Sequence, residues 1–127
     1  MNLTPNYVMK AVCTRVLDGD TVVLTVSPAF KVYHADLHFR LVGINTPELK
    51  DPDPKVRTAA NKAKKFLSDS ILGKDIMVKT VKTRSTGEKL DKYGRYLATI
   101  YITDAAGAQI NINQKMVELG LAIPFME

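Results

Sequence analysis

The chain has 127 residues, 46% of them hydrophobic, with 18 lysines and arginines against 13 acids and a formal net charge of +5. This size suits one domain, residues 1–127, that buries roughly two thirds of its unfolded surface, and the apolar fraction excludes wholesale disorder. The single cysteine, Cys13, excludes an internal disulfide framework and a cysteine-based zinc site, and no apolar run approaches the roughly 18 residues of a membrane span.

Residues 7–16 mix alternating and β-branched positions and predict a strand. Asp18-Gly19 predicts a tight turn, and Thr21 to Val26 the returning strand, stopped at Ser27-Pro28. The stretch to Ala35 reads as an extended hairpin tip. Residues 36–44 predict a third strand, with Asp36, His38 and Arg40 on one face and Leu37, Phe39 and Leu41 on the other. Thr46-Pro47-Glu48 ends it.

Asp53-Pro54 is a helix start, a capping side chain followed by proline at the first helical position. Val56, Ala59, Ala60, Ala63, Phe66, Leu67 and Ile71 recur at helical spacing up to Gly73, while Lys55, Arg57, Lys62, Lys64 and Lys65 lie off that stripe. Residues 76–81 predict a fourth strand, a polar loop follows through Lys92, and Gly94 to Thr103 predict a fifth. A short helix over Ile112 to Leu119, capped by Asn111 or Asn113 and closed by Gly120, completes the set. The expected fold is α+β and mainly β: a five-stranded barrel of oligonucleotide-binding type (OB-fold) with two helices.

The charge is unevenly placed. Between Lys79 and Arg95 stand six bases, Lys79, Lys82, Arg84, Lys89, Lys92 and Arg95, against only Glu88 and Asp91. Such a run serves as a solvated face or as a rim that attracts phosphates. Asp18, Asp20 and Glu48 stand out against this background. With no histidine or cysteine cluster, any metal they hold is a hard, oxygen-bound one such as Ca²⁺ or Mg²⁺. Two arginines, Arg40 and Arg95, complete a set suited to phosphodiester hydrolysis: cations offset charge building on the phosphorane oxygens while a carboxylate orients water. His38 and His34 read as surface or packing residues, and Cys13 as a small core residue.

Three segments, Val16-Leu17-Asp18-Gly19-Asp20-Thr21-Val22, Phe39 to Glu48, and Asp91-Lys92-Tyr93-Gly94-Arg95-Tyr96-Leu97-Ala98, resemble the staphylococcal nuclease family in order. Met116 to Ala122 resembles its later helix, so the likeness runs over about residues 10–122. The resemblance implies an OB-fold barrel and a monomeric, Ca²⁺-dependent endonuclease that cleaves DNA and RNA and leaves 3′-phosphate ends. Carried over by position, Asp20 matches a metal-binding aspartate, Asp18 an acid supporting the metal's water shell, and Thr46 a residue whose carbonyl reaches the metal. Arg40 and Arg95 match the phosphate-clamping arginines, Glu48 the general base, and Lys92 and Tyr93 contacts to a terminal phosphate.

Two departures stand beside the match. Asn45 replaces a second metal-binding aspartate; its amide oxygen can still coordinate Ca²⁺ with one charge fewer, which opens the site to Mg²⁺ or Mn²⁺. Ile123-Pro124-Phe125-Met126 lacks the family's tyrosines and leaves Phe125 as the available stacking surface, and the chain stops before the family's last helix. The rival reading is an inactive module on the same barrel that binds nucleic acid or protein. Such copies typically lose the arginines or the glutamate, whereas Arg40, Glu48 and Arg95 all remain. The first residues lack the basic start and apolar stretch of a signal peptide, so an intracellular or phage-borne setting and a trimmed secreted form both fit.

Overall fold

The computed structural model describes residues 8–29, 31–80, 82–83, 87–88 and 95–125. In chain order the elements are β1 (Val8–Asp18), β2 (Thr21–Ala29), β3 (Val32–Leu41), β4 (Ile44–Asn45), α1 (Pro54–Ile71) and β5 (Asp75–Thr80). They continue with β6 (Lys82–Thr83), β7 (Gly87–Glu88), β8 (Tyr96–Thr103), β9 (Gln109–Asn111), α2 (Ile112–Glu118) and β10 (Ile123–Pro124).

The main sheet runs β3-β2-β1-β5-β8-β9, and a parallel pairing of β3 with β8 closes the first five of these strands into a barrel, with β9 attached beside β8. Closure removes the open edges that would template association. The seam pairs Phe39 with Tyr96, Arg40 with Leu97 and Leu41 with Ala98. Asn113 of α2 stitches it from outside the ladder: its Nδ2 donates to the carbonyls of Val42 (2.9 Å) and Ala98 (3.0 Å), and its Oδ1 accepts from the Ile100 amide (3.1 Å). The helix cap is instead Asn111, which accepts from the Gln114 amide. Of the two asparagines offered by the sequence, one caps and the other is buried in the barrel wall.

Helix α1 follows the sequence pattern closely. Asp53 accepts from the Lys55 amide as N-cap, worth about 1 kcal/mol, and the last turn leads into Gly73 at φ +70. Ala60, Ala63, Leu67 and Ile71 are buried. Ala59 is exposed, at the margin of its stripe. The amide of Gly73 donates to the Cys13 carbonyl at 2.9 Å, tying the helix exit to β1. One core cluster joins α1 to barrel residues such as Val22, Leu24, Phe39, Leu41, Val78 and Ile100, and to Ile112 and Met116 of α2. Each large apolar side chain taken fully out of water contributes roughly 1.5–3 kcal/mol. Cys13 belongs to this core; burial pushes its thiol up to about 11, which keeps it inert.

The β2–β3 hairpin is longer than the sequence pattern suggests. β2 runs through Pro28 to Ala29, and β3 begins at Val32 rather than near Asp36. Pro28 falls where the register shifts between the Val26–His34 and Ala29–Val32 pairs, so its missing N–H interrupts no regular rung. A second shift between the Leu24–Leu37 and Val26–His34 pairs gives β3 one extra residue, and Asp36 takes a φ of +57 there. Short polar residues tolerate that conformation best, which makes this a β-bulge. The bulge disguised the strand as a loop. The short strands β4, β6, β7, β9 and β10 escape the sequence pattern, β6 and β7 pairing inside the stretch that reads as a polar loop, because two- or three-residue ladders leave no periodicity to read.

Candidate active site

The site forms where the β1–β2 turn, the end of β3, the β4 loop and the start of β8 meet. Gly19 makes the meeting possible. A Cβ built on it would lie 2.8 Å from the Ala63 Cβ and 2.9 Å from the Thr46 Oγ1, so no side chain fits between turn, helix and loop. The requirement is close approach rather than unusual dihedrals, and Asp-Gly read simply as a turn pair conceals it.

Asp20 sits at the centre, only 8% exposed. Its Oδ2 accepts from the Thr46 amide at 3.1 Å and lies 3.7 Å from the Arg40 Nη2. Its Oδ1 accepts from the Thr21 hydroxyl at 3.2 Å. The Thr21 hydroxyl in turn accepts from the Arg95 Nη1 at 3.0 Å. Asp18 lies alongside, its Oδ1 accepting from the Asp20 amide at 3.1 Å.

The two carboxyls titrate in opposite directions. Burial, reinforced by the hydrogen bond and charge of Asp20, pushes Asp18 up to about 6. Burial also raises Asp20, but the hydrogen bond from Asp18, the Thr46 amide and the Arg40 charge outweigh it and hold its carboxyl below the usual range. As pH falls, Asp18 is therefore the one of the two that takes up a proton first.

Arg40 is more enclosed than strand alternation suggests. Instead of lying on an open face with His38, which is exposed, its side chain is buried and ties down the turn that follows it. Nη1 donates to the carbonyls of Leu41 (3.1 Å) and Ile44 (3.0 Å), and Nη2 donates to the Asn45 Oδ1 (3.0 Å). The Phe125 ring lies over the guanidinium, 5.3 Å from its carbon, a cation–π contact. Phe125 is held there by its own amide, which donates to the Gly43 carbonyl at 2.8 Å, and by pairing of β10 with β4. Phe125 thus covers an arginine.

Glu48 lies on the same loop as Thr46 with its side chain exposed, and among the described residues its carboxylate makes no hydrogen bond or ion pair. The far end of that loop is pinned by Arg57, whose Nη1 donates to the carbonyls of Asp51 (2.8 Å) and Pro52 (3.0 Å). Lys92 and Tyr93 lie outside the described residues, as does most of the basic run that ends at Arg95. The structure therefore brings Asp18, Asp20, Arg40, Asn45, Thr46 and Arg95 together, with Glu48 at the rim.

The donor set suits a hard divalent cation. Two carboxyls stand side by side, one of them made harder to ionise by burial and its neighbour's charge, and a cation between them would relieve that repulsion. Among the described residues no three acidic, histidine or cysteine side chains gather as metal ligands. Neutral oxygens, from Asn45 and Thr46, would have to complete the shell.

The site is thus an acidic pair and two arginines at one rim of an OB-type barrel. The staphylococcal nuclease homologue family matches residues 38–126, and the chain belongs to that family. It is 31% identical over 117 residues to a thermonuclease of Staphylococcus intermedius, covering 92% of this chain and 58% of that protein. It is 32% identical over 125 residues to an uncharacterised protein of Methanocaldococcus jannaschii, covering 85% of this chain and 55% of that one. A thermonuclease of Staphylococcus hyicus is 26% identical over 108 residues, covering 85% and 54%. The chain thus spans little more than half the length of these relatives.

Proposed function

We propose that the chain is a Ca²⁺-dependent nuclease that hydrolyses DNA and RNA to 3′-phosphate ends, with Mg²⁺ or Mn²⁺ as further candidates because of Asn45. The observation that carries this reading is the hydrogen-bonded line from Arg95 through Thr21 to Asp20, with Arg40 on the other oxygen of the same carboxylate. A pure nucleic-acid binder has no use for a buried acidic pair, because acids repel phosphate unless a cation bridges them.

In this reading Asp18 and Asp20, with Asn45 and the Thr46 carbonyl, hold the cation, which supplies charge stabilisation at the phosphate. Asp20 is held for that task from both sides, by the Thr46 amide and the Thr21 hydroxyl. Arg40 orders Asp20, Asn45 and the β4 turn, and its positive charge faces the phosphate. Arg95 supplies the second positive charge, fixed in direction by Thr21. Such preorganised groups stabilise charge as it develops and need little rearrangement at the moment of reaction. Glu48, exposed on the loop, is the group with access to a water molecule, which it orients or deprotonates. Lys92 and Tyr93 contact the terminal phosphate, and the enzyme acts as a monomer.

Incubation with single-stranded DNA and with RNA, across Ca²⁺, Mg²⁺ and Mn²⁺ and with a chelator control, tests the reading. Metal-dependent cleavage with 3′-phosphate product ends is expected. Absence of cleavage with all three ions would instead make the chain a binding module.

A further inference from the structure

Helix α1 carries its charges against its own dipole. Over Pro54–Ile71 it has five bases and one acid. Its first turn holds Lys55 and Arg57 and no acid, and its last turn holds Asp69 and no base. Acids in the first turn and bases in the last would stabilise a helix, so this arrangement opposes folding. Among the described residues its one ion pair, from the Lys65 Nζ to the Asp69 Oδ2 at 2.8 Å, lies in water and contributes little. Solubility alone is served by mixed signs on a surface. The excess of bases therefore answers to a ligand.

The bases are not spread evenly round the helix. Arg57 is engaged by the loop carbonyls of Asp51 and Pro52, and Lys64 is half-buried on one flank. Lys55, Lys62 and Lys65 are exposed and recur at i, i+7 and i+10, one stripe on the side away from the buried Ala60, Ala63 and Leu67. Among the described residues Lys55 and Lys62 have no acidic partner. At 1.5 Å per residue the stripe is about 15 Å long, room for about three phosphates of one strand. The other side of the helix touches the candidate site, where Ala63 approaches Gly19 so closely that no side chain fits between them. Lys62 and Lys65 thus stand one helix diameter, about 10 Å, from the turn that bears Asp18 and Asp20.

We propose that this stripe docks the sugar–phosphate backbone of a nucleic-acid strand, so that a strand engaged at the barrel rim continues across α1. The inference takes its substrate class from the proposed function and needs no cleavage. Charge complementarity selects the occupant: lysines at a fixed spacing meet phosphates at a fixed spacing and release their counterions. Apart from Pro54 and Ala59 the exposed residues of α1 are polar or charged, so the surface meets phosphates rather than bases. An anionic membrane surface would need a free apolar face to enter it, and the apolar stripe of α1 is buried against the barrel.

The test is fluorescence anisotropy of labelled single-stranded DNA of about 4 and about 16 nucleotides, titrated with the metal-free chain between about 50 and 200 mM salt. The parent should bind the long strand more tightly than the short one. The triple variant Lys55→Gln, Lys62→Gln, Lys65→Gln should lose most of that gain. Its log–log salt slope on the long strand should shrink by about two, from three phosphates at about 0.7 each. A control, Lys10→Gln, Lys31→Gln, Lys115→Gln, removes the same charge from β1, the β2–β3 turn and α2, and should keep most of the gain and the slope. The proposal is overturned by a parent that binds neither strand, by a triple variant that binds as the parent does, or by an equal loss in the control. Poly-glutamate of matching charge displacing the long strand as well as unlabelled DNA does would also overturn it, in favour of an acidic protein partner. Cleavage with metal present is scored separately. A chain that binds through α1 without cleaving loses the nuclease reading and keeps this surface; a chain that cleaves while the triple variant binds like the parent does the reverse.

Discussion

Arg95 donates to the hydroxyl of Thr21, 74 residues earlier in the chain, at 3.0 Å, and the same hydroxyl donates to Asp20 at 3.2 Å. One small side chain therefore aligns an arginine with a carboxylate. Thr21→Val preserves volume and strand preference but breaks both bonds. We expect turnover to fall about tenfold or more, as for loss of one positioning contact in a transition-state network, while Thr21→Ser stays near the parent. Steady-state cleavage kinetics on the two variants decide it: equal rates for valine and serine would mean that the relay has no part in catalysis.

In the proposed mechanism Arg95 acts on the reacting phosphate and Glu48 on water. Arg95→Ala and Glu48→Gln should each lower turnover by about two orders of magnitude or more. Glu48 is exposed and among the described residues its carboxylate makes no hydrogen bond or ion pair, so Glu48→Gln should leave stability within about 0.5 kcal/mol of the parent. A parent-like rate for Glu48→Gln would remove it from the role of base.

Asn45 presents its Oδ1 to the Arg40 Nη2 at 3.0 Å. Asn45→Asp would restore a charge to the candidate metal shell and give Arg40 a charged partner. Tighter Ca²⁺ binding by calorimetric titration is the expected result, since ligand charge count sets affinity at such sites. An unchanged titration would show that position 45 takes no part in holding the ion and serves only to anchor Arg40.

Gly19 leaves 2.8 Å between a would-be Cβ and Ala63. Gly19→Ala must push the turn away from α1 or from Thr46, and overpacking of this kind costs roughly 1–3 kcal/mol. Denaturant unfolding should report that loss, together with weaker metal binding because Asp20 moves with the turn. Undiminished stability would mean that the turn yields without strain.

The order of barrel strands, the capped helix and the residues of the acidic pair were legible because each leaves a local mark. Alternation marks the long strands, Asp53-Pro54 marks a helix start, and Asp18-Gly19-Asp20 marks a turn rich in carboxylates. The misses share one cause, which is that tertiary contacts leave no periodic trace. Strand alternation put Arg40 on a face with His38, yet its guanidinium turns inward because three acceptors on the following turn and the Phe125 ring are there to receive it. Asn113 reads as a possible cap, and only the meeting of α2 with the barrel seam makes it a staple. Asp36 hides a bulge, and Thr80 reads as an ordinary strand residue until its hydroxyl is found without a partner.

Asp18 sets the expected pH dependence. Its carboxyl is raised from the ordinary 3.8 to about 6, chiefly by burial and then by Asp20. Between those values the folded chain binds a proton that the unfolded chain has released, so the contribution of this group to stability is full below 3.8 and is lost as pH rises through about 6. In the proposed site a divalent cation would reverse that loss by replacing the proton. Because the proton must leave first, apparent Ca²⁺ affinity should fall up to about tenfold per pH unit below 6 and level off above it. Accordingly, Ca²⁺ should raise the melting temperature clearly at pH 7.5 and little at pH 5, with about half a proton released per ion bound near pH 6 and close to one below about pH 5. Asp18→Asn should flatten this profile, because the amide carries no proton to exchange. Thermal unfolding with and without Ca²⁺ across that range is the measurement, and a Ca²⁺ effect independent of pH would show that Asp18 does not give up its proton to the ion.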